Sequence, residues 1–356
     1  MYRTLLGAAL SATAALALCA PAATAQTVKF AIIAPSPINV TPTKVTKEYF
    51  VPEVTKRLAA SGKGFKIEWN EAYGPQLAKF TEVLENIEEG IAHMGVILRN
   101  FEESKLPLEQ YPAMIPFGIT DSFDMLKVDA RVRQRVPEMN KQFDKYNQIL
   151  LSSSISENMH MFTNFPIKTV DDMKGHKIGS SGTLGHVLRG TGAVLVTAAM
   201  TQSYLDIKNG VYEGYTIGEG LAFPYRTFES AQYLTRTYFG VTTVPSLAIN
   251  KDAWNKLPEH ARQIIQEVAT EWAQRSVAMD RERLKHDTDA MVAKGLKVHD
   301  LPTEERQKWA KAMPNVAKEW ADNMDKQGLP GAKLLTAYMD EVRASGKPVV
   351  RQWDKE

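Results

Sequence analysis

Cysteine is nearly missing from this chain: of 356 residues, only Cys19 is one. A chain without thiols beyond position 19 has no disulfide framework, no thiolate nucleophile and no cysteine-bound metal. At ~330 residues it can bury enough apolar surface to fold without such staples. The seven histidines show no H-x-x-H or H-E-x-x-H spacing, so a histidine metal site is not expected either. Charge of one sign is also missing: 43 basic residues stand against 41 acidic ones, net +2. No basic face follows from that balance, and nucleic acid is excluded as an expected partner. The glycine-serine turn at 179–185, GSSGTLG, lacks the Lys-Ser or Lys-Thr of a P-loop, the dinucleotide fingerprint and a G-x-S-x-G elbow. No nucleophile, base and orienting group stand out together. The expectation is a protein without cofactor that is not an enzyme.

What is present begins with Arg3 and an apolar run from Leu5 to Leu18, closed by Ala23-Thr24-Ala25. This pattern reads as a secretory signal cut after Ala25, with a mature chain from Gln26 and export to a bacterial periplasm. The run is too short to span a membrane.

The next 200 residues carry one unit twice. VKFAII, FKIEWNEA and HMGVIL read as strands, with helical stretches KVTKEYFVPEVTKRLAAS and KFTEVLENIEEG between them. Pro52, inside the first helix, predicts a kink or a late start. HKI, AVLVTA and GYTI repeat the strands, with TLGHVLRG and SYLDIKNG as the helices. NIEEGIAHMGVI and DIKNGVYEGYTI even share a helix-ending glycine and a glycine within the next strand. Alternating strands and helices predict an α/β fold of two lobes, each a mostly parallel sheet flanked by helices. Ligands of open α/β sheets sit beyond the carboxyl ends of the strands. Those ends are 35–39, 73–76 and 98–100 in one unit and 179–183, 197–201 and 216–220 in the other. Facing lobes would bring these six loops onto one cleft.

From Glu259 to about Lys294 no proline or glycine occurs, which predicts one helix long enough to bridge both lobes, with a solvated, charged second half. GLKVHDL reads as a strand, Thr303 as a helix cap, and Gly328 and Gly331 as breaks. The expected division is 1–25 signal; 26–152 first lobe, with a return near 240–300; 153–240 second lobe; and 251–356 the bridging helix and C-terminal helices. An apolar stripe on the long helix suits lobe packing in a monomer, with a dimer seam as the alternative.

The segments QLAKFTEVLENIEEGIAHMGV, TVDDMKGHKI, SYLDIKNGVYEG and INKDAWNKLPEHARQIIQEVA resemble the solute-binding proteins of TRAP (tripartite ATP-independent periplasmic) transporters, C4-dicarboxylate type, in order and spacing. The resemblance runs from about residue 28 to 330. It implies a binder that closes by a hinge on a small organic acid and delivers it to a membrane permease driven by an ion gradient. It also implies an arginine clamp on the ligand carboxylate, and here the sequence departs. The clamp position falls on Gly179, a second arginine on Met159, and a strand-end asparagine near Ile217. Two replacements offer themselves, Arg99 from the first lobe or Arg226 from the second. The alternative is a bulkier, less charged ligand held by Met159, Ile217, Tyr215 and Phe223 with the hydroxyls of Ser180, Ser181 and Thr183, and an aromatic or cyclic acid would combine the two. Ser36, Asn39, Tyr73, Gln76, Leu98 and Glu219 complete the candidate wall. GSSGT itself reads either as a loop whose amides meet an anion or as a plain turn. A sensor subunit presenting its ligand to a membrane receptor is the competing function.

Overall fold

The computed structural model describes residues 26–356 except Pro75, Leu77 and Thr243, so the expected signal segment lies outside the described residues. Among these, eleven strands run β1 Gln26–Ala34, β2 Phe65–Tyr73, β3 Met94–Leu98, β4 Gln148–Ser153, β5 His160–Thr163, β6 Lys177–Ser180, β7 Val194–Thr197, β8 Gly214–Ile217, β9 Tyr233–Arg236, β10 Pro245–Asn250 and β11 Lys297–Asp300. They form two sheets, ordered β2-β1-β3-β10-β4 and β11-β9-β5-β8-β6-β7. Each sheet contains the three parallel strands of one sequence unit: β2, β1 and β3 in the first, β7, β6 and β8 in the second. The helix-ending glycines of the repeated motif, Gly90 and Gly210, adopt φ of 74° and 72°. Only glycine takes that conformation without penalty.

GLKVHDL forms the edge strand β11, while β4, β5, β9 and β10, which the sequence pattern did not single out, extend the sheets and carry the chain between them. β4 leaves the first sheet and, through 154–159, becomes β5 of the second. β9 leaves the second and, through 237–244, becomes β10 of the first. β10 lies antiparallel to β3 and β4, and β5 antiparallel to β8 and β9. The two crossings touch one another, with Asn158 bridging to Val241 and Met159 N–H donating to Gly240 O at 3.2 Å.

The third crossing is the helix Glu259–Ala293, 35 residues and therefore ~52 Å long. Ile265, Val268 and Trp272 pack it into the first core, around Ile32, Phe50 and Leu247. Met291 enters the second core with Phe162, Tyr215 and Leu234. Its second half is not simply solvated, because Asp280 and Asp287 are buried. The C-terminal helices Thr303–Ala312, Val316–Lys326 and Gly331–Ala344 form a third core with Trp309, Trp320 and Tyr338 against Met161 and Ile178 of the second sheet.

Three local expectations are corrected. Pro52 does not delay its helix, which is already under way from Thr41: a π turn at Thr46–Phe50 precedes it, and Val51 N–H bonds Thr46 O. The widened turn lets the chain pass the missing N–H of Pro52 inside one continuous helix. TLGHVLRG is not an α-helix but a 3₁₀ segment, Gly182–Leu188. Its glycines disfavour α-helix, and a Cβ at Gly185 would lie 2.8 Å from the Leu195 side chain. Thr303 is the first helical residue, not the cap.

Candidate ligand-binding site

At the carboxyl end of β6 the reason for glycine at the clamp position is steric. Gly179 pairs with Tyr215 across the strands. A Cβ at 179 would come within 2.5 Å of the Tyr215 ring and 2.8 Å of Tyr212. Those tyrosines fill the space that a longer side chain would need. Tyr215 also donates its hydroxyl to Ala198 O at 2.7 Å, which fixes the ring. Met159 and Ile217 are likewise in lobe cores rather than on an open wall.

Neither substitute arginine is free. Arg99 is 1% exposed. It sits inside the first lobe against Glu109 and 3.6 Å from Asp129, with Arg133 sharing both carboxylates. Arg226 faces outward, bound through two nitrogens to Glu229 and lying over the Tyr204 ring. Phe223 stacks on Phe228. Ser36 and Ser180 are buried, and the Ser180 Oγ has no hydrogen-bond partner among the described residues. Asn39 and Gln76 are exposed, while Leu98 and Ser181 are half-buried. Tyr73 donates to Glu71 at 2.8 Å. The side chain of Thr183 lies outside what is described.

The charged chemistry gathers elsewhere, where the crossings meet. A cavity of about 490 Å³ is lined by Glu157 and Asn158 from the first crossing and by His160 at the start of β5. Arg236 and Tyr238 line it from the end of β9 and the second crossing, and Asp280, Arg281, Leu284, Lys285 and Thr288 from one face of the long helix. Thr120–Ser122 close one side. Of the residues that the sequence points to, this cavity collects only Glu219.

Glu219 is its most heavily bonded group. Both of its oxygens accept from Arg236, at 2.7 and 3.0 Å, Thr288 donates to it, and His160 Nε2 lies 3.6 Å away. Burial is the largest influence on Glu219 and opposes ionisation, but these donors hold its carboxyl below the ordinary range. Burial pushes His160 the other way for a base, down to about 4, so its ring is neutral at pH 7. Glu157 is buried at the cavity's edge: Gly220 N–H donates to one of its oxygens at 2.6 Å. A Cβ at Gly218 would lie 2.4 Å from the Glu157 carboxyl carbon, so glycine there is a condition of the carboxyl's position. Burial raises the Glu157 carboxyl to about 8, only partly offset by the Gly220 amide and Arg283. Arg283 ties the long helix to this edge, donating to Gly220 O at 2.8 Å and pairing with Asp280 and Asp287. The missed residues had a sequence signal of a kind, the polar run S-E-N-M-H at 156–160. The helix charges at 280, 283 and 287 have the spacing of any solvated face.

Comparison with known proteins decides the family. The sequence profile of bacterial extracellular solute-binding protein family 7, DctP, matches residues 64–323. The chain belongs to that family. This family-7 protein also shares its fold with solved TRAP periplasmic binding proteins. One from Desulfovibrio salexigens, in an open complex with the C-terminus of a symmetry mate in its ligand-binding site, is 19% identical over 90% of this chain and 98% of its own, TM-score 0.78. The ectoine-binding protein TeaA of the TeaABC TRAP transporter, in its apo state, is 17% identical over 89% and 99%, TM-score 0.74. A Chromohalobacter salexigens protein with bound D-glucuronate is 18% identical over 88% and 99%, TM-score 0.72.

Proposed function

We propose that this protein is the extracytoplasmic receptor of a TRAP-type permease, capturing a small organic acid between its lobes in the periplasm and handing it to the membrane subunits. In this reading the signal segment is removed after Ala25. The lobes comprise 26–152 with the return near 240–300, and 153–240, with 251–356 as bridging helix and C-terminal cover. The observation that carries the reading is the cavity at the crossings, since a ligand there touches all three connections between lobes and is placed to couple binding to hinge motion. Structural neighbours with bound glucuronate and pyroglutamic acid support the ligand class.

The acid is not held by the family's clamp, whose position the tyrosines occupy. Arg236 is the better guanidinium. It lines the cavity, and its second terminal nitrogen reaches only Asp300, at 3.8 Å. A thermal-shift panel of uronates, keto acids, cyclic acids and dicarboxylates on the chain from Gln26 tests this. A ligand at 100 times its Kd adds about 2.7 kcal/mol of stability. Arg236→Lys keeps the charge but loses the planar fork, and is expected to weaken the acid at least tenfold. No shift with any acid would refute the receptor reading.

A further inference from the structure

We infer that the cavity at the crossings selects a ligand that also carries a positively charged nitrogen, so that the captured acid is a zwitterion, with Glu157 and Asn158 as the selecting residues. The inference rests on the receptor reading and names the ligand class of that same site.

Two buried acceptors carry it. Glu157 is 4% exposed, and while one oxygen takes the Gly220 N–H, its Oε1 has no partner among the described residues. Beside it, the Asn158 amide nitrogen donates to Thr120 O, and its Oδ1, also buried, has no partner among them either. Both residues line the cavity. A buried acceptor left unpaired costs ~1–3 kcal/mol, so a ligand donor that reaches either oxygen recovers that penalty. An ammonium group offers donors and no acceptor.

The surrounding charges agree. Each basic residue of the lining already holds a carboxylate: Arg236 holds Glu219, Arg281 holds Asp121, and Lys285 holds Asp289. A ligand made only of carboxylates could use the remaining Arg236 nitrogen but would leave the two bare oxygens unpaired. A zwitterion can share Arg236 through its acid and satisfy Glu157 and Asn158 through its nitrogen. The groups facing Glu157 are Asp280 and Arg283 on the long helix and Glu219 after β8. Two of these three are acidic.

The sign of the pH dependence separates this from its rival, in which a protonated Glu157 donates to an anionic ligand. Glu157 titrates near 8 in the empty protein. An ammonium ligand binds the ionised form, so its affinity rises roughly twentyfold from pH 6.5 to 8.5 as that form becomes populated. An anion accepting from the protonated carboxyl would weaken over the same interval.

The experiment is calorimetric titration of the full mature chain with matched pairs of equal size: proline and tetrahydrofuran-2-carboxylate, glutamate and glutarate, phenylalanine and 3-phenylpropionate. The expected result is that at least one nitrogen-bearing member binds tenfold or more tighter than its partner, and gains affinity with rising pH. Glu157→Gln should abolish both the preference and the pH effect. Binding by the plain acids alone, or affinity that falls with pH, overturns the inference and leaves the receptor reading standing. If no member of any pair binds, the zwitterion assignment also falls, and the separate acid panel decides the receptor reading. Should Glu157→Gln not fold, the pH profile of the unaltered protein still separates the ammonium ligand from the anion.

Discussion

At the scale of single residues, the positions that depart from the family pattern are packed rather than vacant. Gly179→Ala places a methyl against the Tyr215 and Tyr212 rings. It should cost ~1–3 kcal/mol by overpacking, read from the urea midpoint at unchanged slope. Arg99→Met leaves Glu109 and Asp129 with one guanidinium between them. A loss of ~3–5 kcal/mol is expected in the same assay, so this substitution reports on folding and not on ligand contact. Glu157 and His160 give the stability curve two opposed arms. The folded protein keeps the Glu157 proton up to about 8, whereas the unfolded chain releases it near the ordinary carboxyl value. That contribution is complete at low pH and is lost as pH rises through the interval, by up to ~1.4 kcal/mol per pH unit. His160 is held near 4, so the unfolded chain takes up its proton first and stability falls below pH ~6.5. Urea melts of Glu157→Gln at pH 5 and pH 9 should therefore show a gain over the parent at pH 9 only. Equal effects at both values would place the ionisation elsewhere.

At the scale of elements, legibility followed length and periodicity. The long helix was plain in the sequence because 35 residues without proline or glycine have no competing reading. The first sheet's β1 and β2 were plain because they run into proline and glycine signals, and β3 because an apolar run follows a glycine-capped helix. The crossing strands were not, because four to six residues such as HMFT or YLTR carry too little pattern to separate strand from loop. Their identity comes from the partners they find, which sequence order does not reveal. The same limit applies to the candidate site. Of the strand-end loop residues singled out, only Glu219 lines the cavity at the crossings, because its other charged groups come from the crossings and from a helix face whose spacing suits either solvent or a partner lobe. An element-scale check is Arg283→Met, which removes the link to Gly220 O and leaves Asp280 and Asp287 without their cation. A loss of ~3 kcal/mol or more in urea unfolding is expected, with proteolysis appearing first in the 218–226 segment.

At the scale of the whole molecule, two sheets joined by three connections define what ligand capture can do. Small-angle scattering of the mature chain should show a smaller radius of gyration when a stabilising ligand is added, and no change for compounds that leave the melt unmoved. The long helix adds a mechanical consequence. It is gripped by Ile265, Val268 and Trp272 at one end and by Met291 at the other, with neither proline nor glycine between to serve as a joint. A rod clamped at both ends cannot follow a rotation of one lobe without flexing, and a flexed rod recoils. Closing on a ligand would thus load a spring, and part of the ligand's attraction would go into bending it. Glu282→Gly, at an exposed point of the span, should soften the rod for ~1 kcal/mol of stability. Ligand would then leave more slowly in stopped-flow release, whereas an unchanged rate would mean that the lobes pivot around an unstressed helix.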